Sequence, residues 1–175
     1  MRYHYLEVWI EEYIAYVKLN IPSERNIFLP ELSQELLDVA NEFIDHQQIK
    51  VVVLGANGRD FSLGIPPKLA QNDLDEAYTS VVLASKAIEQ WSRIPYPIIV
   101  AINGQCASLG LSLACVGDIR YASERAIFYM PEATWGIVPA GGITQRLPKL
   151  IGKGPSMNML LGGEHMQANQ ALDFG

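Results

Sequence analysis

Apolar positions in the first half of the chain follow two spacings. The segment 50–54, which is apolar and mostly β-branched after Lys50, predicts a buried strand. Residues 30–44 and 75–91 place their apolar side chains at helical spacing, which predicts two amphipathic helices. Alternation over residues 5–19 predicts two short antiparallel strands. Strands and helices therefore alternate, which indicates an α/β fold.

The second half of the chain packs several predicted elements together with almost no spacer. An apolar run at 97–102 predicts another buried strand, and Asn103-Gly104 ends it. Small and apolar residues from Cys106 to Val116 predict one short helix, and residues 118–122 predict a further strand. From periodicity alone, the expected topology is a doubly wound sheet.

Composition indicates a single domain spanning residues 1–175, because 49% of the residues are apolar and 18% are charged. The net charge of -6 argues against a nucleic-acid partner, which would require a basic face. Acidic residues near the N-terminus argue against a signal peptide, and polar residues interrupt the apolar run 98–117, which argues against a membrane span. We expect a cytoplasmic protein.

Neither the cysteines nor the histidines predict a reactive centre. Cys106 and Cys115 both lie in apolar sequence, which favours buried, reduced thiols over a disulfide or a nucleophile. His4, His46 and His165 are scattered without the spacing of metal ligands, so no metal site is predicted.

Four motifs carry a resemblance to a known family. They are A-x-N-G at 101–104, L-A-x-x-x-D-x-R-x-A at 113–122, Pro131-Glu132, and G-x-x-P-x-G-G at 136–142. This pattern resembles the crotonase (enoyl-CoA hydratase/isomerase) superfamily. The resemblance implies a crotonase-like spiral of repeated ββα units that binds an acyl-CoA.

The resemblance also implies an oxyanion site made of two backbone amides, those of Ile65 and Leu109. Two converging N–H groups would hold the negative charge that grows on a thioester oxygen when the α-carbon loses a proton. The family usually has a small residue at the first position and glycine at the second. Here Ile65 is bulky, and Ser108 and Leu109 replace glycines.

One carboxylate matches the family's acid/base pair. Hydratases of the family use two glutamates; Glu132 matches the second, whereas Ser112 stands at the first. Hydration is therefore disfavoured, and double-bond isomerisation by Glu132 alone is the first expectation. The alternatives are another single-base reaction on a CoA enolate, such as decarboxylation or C–C bond formation, and a non-catalytic paralogue.

Partners follow from the same resemblance. Lys68 and Arg25 are candidates to contact the phosphates of CoA, which enters as part of the thioester substrate, so no separate cofactor is expected. Family members form trimers or hexamers, so a homo-oligomer is expected. They also continue into C-terminal helices, and the sequence ends where those helices would begin.

Overall fold

Two β-sheets form the centre of the chain in the computed structural model, which describes residues 3–66 and 74–175. The larger sheet has the strand order β1-β2-β3-β4-β6, and the smaller has the order β5-β7-β8. The strands are β1 (Leu6–Glu11), β2 (Ile14–Leu19), β3 (Val51–Ala56), β4 (Ile98–Ile102), β5 (Gln105–Ala107), β6 (Ile119–Ala122), β7 (Ile127–Tyr129) and β8 (Met166–Gln167).

Helices cover these sheets and connect their strands. They are α1 (Pro30–Ile44), α2 (Leu74–Trp91), α3 (Leu109–Ala114), α4 (Ile143–Ile151), α5 (Lys153–Gly162) and α6 (Ala168–Phe174). Short 3-10 helices span Pro22–Glu24 and Glu132–Trp135. No helix in the described part of the chain is long and apolar enough to cross a membrane.

The backbone alternates between the two sheets as it advances, which makes a spiral. Strand β4 lies in the larger sheet and β5, two residues later, lies in the smaller; β6 and β7 repeat this order. Parallel bridges from Ile27 to Gly64 and from Ser62 to Cys106 continue the smaller layer back toward the N-terminus. The fold is therefore the predicted crotonase-like spiral and not a doubly wound sheet.

The core lies between the larger sheet and the pair α1 and α2. The buried face of α1 carries Leu32, Leu36, Val39, Ala40 and Phe43. Trp91, at the end of α2, is completely buried, and its indole N–H donates to the Leu36 carbonyl at 2.9 Å. This bond satisfies the one polar atom of the indole and fixes α2 against α1.

Most predicted elements are confirmed, with one exception. The hairpin, both long helices and the buried strands form where the pattern placed them. The prediction of one helix from Cys106 to Val116 is wrong, because residues 105–107 pair with β7 and the helix begins only at Leu109. A short apolar run fits a buried strand or a buried helix equally well, so periodicity could not separate the two.

The glycine of the A-x-N-G motif allows two turns of the spiral to touch. A Cβ added at Gly104 would collide with the backbone carbonyl of Arg59. The Asn103 side-chain amide donates to the Gly58 carbonyl at 2.7 Å across the same junction. The motif is therefore a contact between neighbouring turns, in which a side chain at position 104 has no room.

We predict that Gly104→Ala lowers the free energy of unfolding by about 2 to 3 kcal/mol, because backbone would have to move to admit the methyl group. Gly154→Ala is the matched control, since a Cβ at that helical position meets nothing within 4 Å. The control should be neutral or stabilising by up to about 1 kcal/mol. Urea unfolding measures both; equal stability of the two variants would contradict the prediction.

Candidate active site

Pairing of β5 with β7 brings residues of two spiral turns together. The parallel register places Ala107 beside Tyr129, and the Ser108 N–H donates to the Tyr129 carbonyl at 3.2 Å. Both strands then end, and the chain turns into α3 on one side and into the 3-10 helix that starts at Glu132 on the other. Ser108 and Glu132 therefore meet just beyond the paired strands.

The Glu132 carboxyl group is the buried acid of this junction. It has no exposed surface, and its Oε1 accepts a hydrogen bond of 2.5 Å from the Ser108 hydroxyl. Its Oε2 is also buried and has no hydrogen-bond partner among residues 3–66 and 74–175. Leaving such an acceptor unsatisfied destabilises a fold by about 1 to 3 kcal/mol. Packing alone therefore does not explain why this oxygen is buried without a partner in the described residues.

Burial sets the acid strength of Glu132. Desolvation disfavours the charged carboxylate and raises the pKa, whereas the hydrogen bond from Ser108 favours the charged form and lowers it. Desolvation prevails, so the pKa lies above its ordinary value of 4.5. A carboxylate with a raised pKa is a stronger base than one in water.

The Ile65 amide faces the same hydroxyl. Its N–H donates to Ser108 Oγ at 3.2 Å, and the Ile65 side chain is buried. The loop is held from behind by Ser62, whose hydroxyl donates to the Asn26 carbonyl at 2.6 Å and accepts the Gly64 N–H at 3.0 Å. The predicted oxyanion donor is thus positioned by a buried polar network.

Gly64 allows the loop to approach the turn at Ser108. Its φ is +69°, and an added Cβ would lie 2.5 Å from the Leu109 nitrogen. The second predicted donor, Leu109, is buried at the first position of α3, where an N–H has no partner within its own helix. Within residues 3–66 and 74–175 no acceptor bonds to this N–H. The structure thus brings Ile65, Leu109 and Glu132 together around Ser108.

Ser112, which stands where the family has its first glutamate, faces elsewhere. Its hydroxyl lies 2.9 Å from the Ala140 carbonyl and 3.2 Å from the Ser108 carbonyl, and it can donate to either. The side chain is completely buried. Ser112 therefore fixes the glycine-rich segment 136–142 to α3 and has no acid/base partner among the described residues.

Sequence reasoning missed the role of Ser108, which it treated only as a replaced glycine. The residue has φ 55° and ψ -132°, a conformation that glycine adopts easily and that strains other residues by about 1 to 3 kcal/mol. The replacement of the family's glycine by Ser108 was the feature of the sequence that could have indicated this unusual backbone conformation. The hydrogen bonds to Glu132 and Ile65 depend on tertiary contacts that no local pattern encodes.

Of the two residues predicted to contact the phosphates of CoA, the structure describes Arg25. Arg25 donates from Nε to Asp60 at 2.7 Å, and its side chain remains 45% exposed. Asp60 is buried, which alone would raise its pKa, but the bonds from Arg25 and from the Gln105 N–H prevail and the pKa is lowered. Lys68 lies outside the described residues.

Other polar groups near the site are structural. Asp118 accepts the Ile98 N–H at 2.7 Å, so its carboxylate is bonded to backbone. Cys106 and Cys115 are buried free thiols, and burial raises the pKa of Cys115 to about 12. The part of the chain that the structure describes contains no group of His, Cys, Asp or Glu side chains that could hold a metal ion.

A cavity of about 760 Å³ lies apart from this junction. Side chains from β6 and β7 line one wall, and helices α4 to α6 line the other; the lining includes Arg120, Phe128, Leu147, Met159 and Leu172. Glu132, Ile65 and Ser108 do not line it.

Comparison with known proteins agrees with this architecture. The model of the enoyl-CoA hydratase/isomerase family matches residues 10–175. The chain is 32% identical over 168 residues to the 2,3-dehydroadipyl-CoA hydratase of Escherichia coli, covering 94% of this chain and 64% of that protein. It is 32% identical over 163 residues to the mitochondrial enoyl-CoA hydratase of Pongo abelii, covering 93% of this chain and 56% of that protein.

A solved structure shares the fold as well. The enoyl-CoA hydratase of Bacillus anthracis superposes with a TM-score of 0.92 at 28% identity, over 98% of this chain and 68% of that one. The spiral of two sheets is the crotonase fold, and the chain belongs to the enoyl-CoA hydratase/isomerase family. It spans 56% to 64% of the length of the two curated relatives.

We predict that Glu132→Gln raises the free energy of unfolding at pH 8, because a neutral amide has no charge to desolvate. The folded pKa of Glu132 is raised, so the native state keeps a proton that the unfolded chain loses as pH rises above about 4.5. The free energy of unfolding of the wild type therefore falls as pH rises from about 4.5 to the raised pKa of folded Glu132. The difference between Glu132→Gln and the wild type grows over this interval and is constant above it.

Chemical denaturation between pH 4 and pH 8 measures this difference. Glu7→Gln is the control. Glu7 is exposed on β1, so this substitution removes the same charge from a site where the carboxylate is not desolvated. A stability difference between Glu132→Gln and wild type that does not change with pH would refute the prediction.

Proposed function

We propose that this chain isomerises the double bond of an enoyl-CoA thioester, with Glu132 as the single acid/base. In this reaction the carboxylate takes a proton from one carbon of the acyl chain and returns it two carbons away. The observation that carries the proposal is the buried, unpartnered Oε2 of Glu132, beside an Oε1 that Ser108 holds in place. The unpartnered oxygen is free to receive a proton.

Burial suits this shuttle. Glu132 has no exposed surface, so bulk water does not solvate the charged carboxylate that accepts the proton. Its raised pKa strengthens it as a base, and the single hydrogen bond from Ser108 fixes its orientation.

The position of Ser112 weighs against hydration. Adding water across a double bond requires one group to activate the water and another to protonate the neighbouring carbon. The hydroxyl of Ser112 donates to backbone carbonyls, so it holds no water against Glu132 and has no charge to contribute. One carboxylate suffices for isomerisation, whereas hydration in this family uses two.

The backbone amides of Ile65 and Leu109 would polarise the thioester. Negative charge grows on the carbonyl oxygen when the adjacent carbon loses its proton, and each preorganised donor lowers that barrier by about 3 to 4 kcal/mol. The incoming oxygen would replace Ser108 Oγ as the acceptor of the Ile65 N–H. Ser108 would keep its bond to Glu132 throughout.

The remaining expectations belong to the same proposal. The exposed part of the Arg25 guanidinium, together with Lys68, would contact the CoA phosphates. CoA would act as part of the substrate and not as a resident cofactor. A homo-oligomer is proposed from the family resemblance, and a cytoplasmic location from the sequence features given above.

The test is deuterium incorporation at the α and γ carbons of a 3-enoyl-CoA in heavy water, followed by NMR. We expect exchange and double-bond migration with the wild type and a loss of about 100-fold to 10,000-fold in Glu132→Gln. Glu7→Gln, which removes a charge from an exposed strand, should match the wild type. Exchange that survives in Glu132→Gln would overturn the proposal.

A further inference from the structure

Ser108 occupies a turn that is unusual for serine. It follows β5 directly, precedes α3 directly, and has φ 55° and ψ -132°. The surrounding sequence from Cys106 to Gly110 reads C-A-S-L-G. It differs at one position from G-x-S-x-G, in which a sharp turn between strand and helix presents a nucleophilic serine.

The hydrogen bonds of Ser108 also differ from those of three buried serines that lie in helices. Ser33, Ser112 and Ser156 each donate to the carbonyl four residues earlier, the ordinary role of a serine in a helix. Ser108 donates to the Glu132 carboxylate at 2.5 Å and accepts the Ile65 N–H at 3.2 Å. A hydroxyl paired with a buried base is the arrangement that activates a nucleophile.

We propose that Ser108 is a nucleophile and that the site hydrolyses an acyl thioester through an ester on Ser108, with Glu132 as general base. The proposal shares the acyl-thioester substrate with the proposed function and adds a second reaction. It uses Ser108 and Oε1 of Glu132, whereas proton transfer between carbons uses Oε2.

The first half of the reaction forms the ester. Ser108 Oγ bonds to the carbonyl carbon while its proton passes to Glu132 Oε1, to which it is already hydrogen-bonded. The bond from carbon to sulfur then breaks with its electron pair on sulfur. Glu132 gives the proton to the departing thiolate, so a free thiol leaves and the acyl group stays on Ser108.

The second half consumes one water. Glu132 takes a proton from the water as its oxygen attacks the ester carbonyl, and the bond from carbon to Ser108 Oγ breaks. The proton returns to Ser108 Oγ, which restores the hydroxyl. The net reaction turns a thioester and water into a carboxylic acid and a thiol, with no change in oxidation state.

The same amides serve the tetrahedral intermediates. The Ile65 N–H, which bonds to Ser108 Oγ in the free protein, lies within reach of the carbonyl oxygen once Oγ has bonded to the carbon. Gly64 holds the Ile65 loop against the Ser108–Leu109 turn, since a Cβ there would lie 2.5 Å from the Leu109 nitrogen. Donors to the oxyanion therefore flank the nucleophile itself.

Saturated butyryl-CoA separates the two reactions, because it has no double bond to move. We expect the wild type to release free CoA thiol from it, measured with a thiol-reactive dye, and acid-quenched protein to carry a butyryl group on Ser108 by mass spectrometry. Ser108→Gly and Glu132→Gln should each lower thiol release by at least about 100-fold.

The variants are chosen so that misfolding does not imitate the result. Glycine accepts the positive φ of position 108, so Ser108→Gly should fold, and circular dichroism checks it. Ser156→Ala removes another buried serine, whose hydroxyl donates to the carbonyl of Gly152 at the start of α5, and should release thiol within about twofold of the wild-type rate. Because Ser108→Gly also removes the hydrogen bond that orients Glu132, exchange of 3-enoyl-CoA protons is expected to fall in this variant as well, and the butyryl group on Ser108 is the readout that only the nucleophile predicts.

Each result decides between the two proposals. Proton exchange on 3-enoyl-CoA without cleavage of butyryl-CoA overturns the nucleophile and leaves the isomerase. Cleavage that requires Ser108, without exchange, supports the nucleophile and overturns the isomerase. Cleavage that survives in a folded Ser108→Gly overturns the nucleophile, and absence of both reactions in the wild type overturns both.

Discussion

The register between β5 and β7 is the constraint on which the site depends. With Ala107 beside Tyr129, the segments that follow the two strands leave the small sheet side by side, and they bring Ser108 to Glu132, which lies three residues beyond Tyr129. A shift of one residue would turn the side chains of β5 to the other face of the small sheet and separate the pair. The hydrogen bonds of Ser62 to Asn26 and Gly64 then hold the loop of Gly64 and Ile65 against the junction of Ser108 and Glu132.

The junction of Ser108 and Glu132 contains a carboxyl group whose burial is unfavourable for the fold. The completely buried Glu132 has a single hydrogen-bond partner, and its second oxygen has none in the described residues. The desolvation that makes the carboxylate a stronger base also makes its charged form unfavourable in the native state. The spiral around it, with Trp91 fixed to α1 and Gly104 packed against Arg59, provides the stability that tolerates this group.

The sequence was informative where a residue's role follows from its neighbours in the chain. The apolar stripe of α1 was predicted from local pattern, and the spiral came from the family resemblance. Ser108 illustrates the limit. The replaced glycine indicates a special backbone at this turn, but the two partners of Ser108 lie in chain segments far away in sequence and no local pattern indicates them. For the same reason, β5 was mistaken for the start of a helix.

The spiral also determines when such a site can come into existence. Ile65 and Ser108 are 43 residues apart, and Ser108 and Glu132 are 24 apart, so the site joins three successive turns. Contacts of such long range form only after the intervening chain has closed into place. Partly folded chains therefore lack the site altogether, and local opening of any one turn would dismantle it while leaving the other turns intact. The candidate site is therefore complete only when all three of these turns are docked.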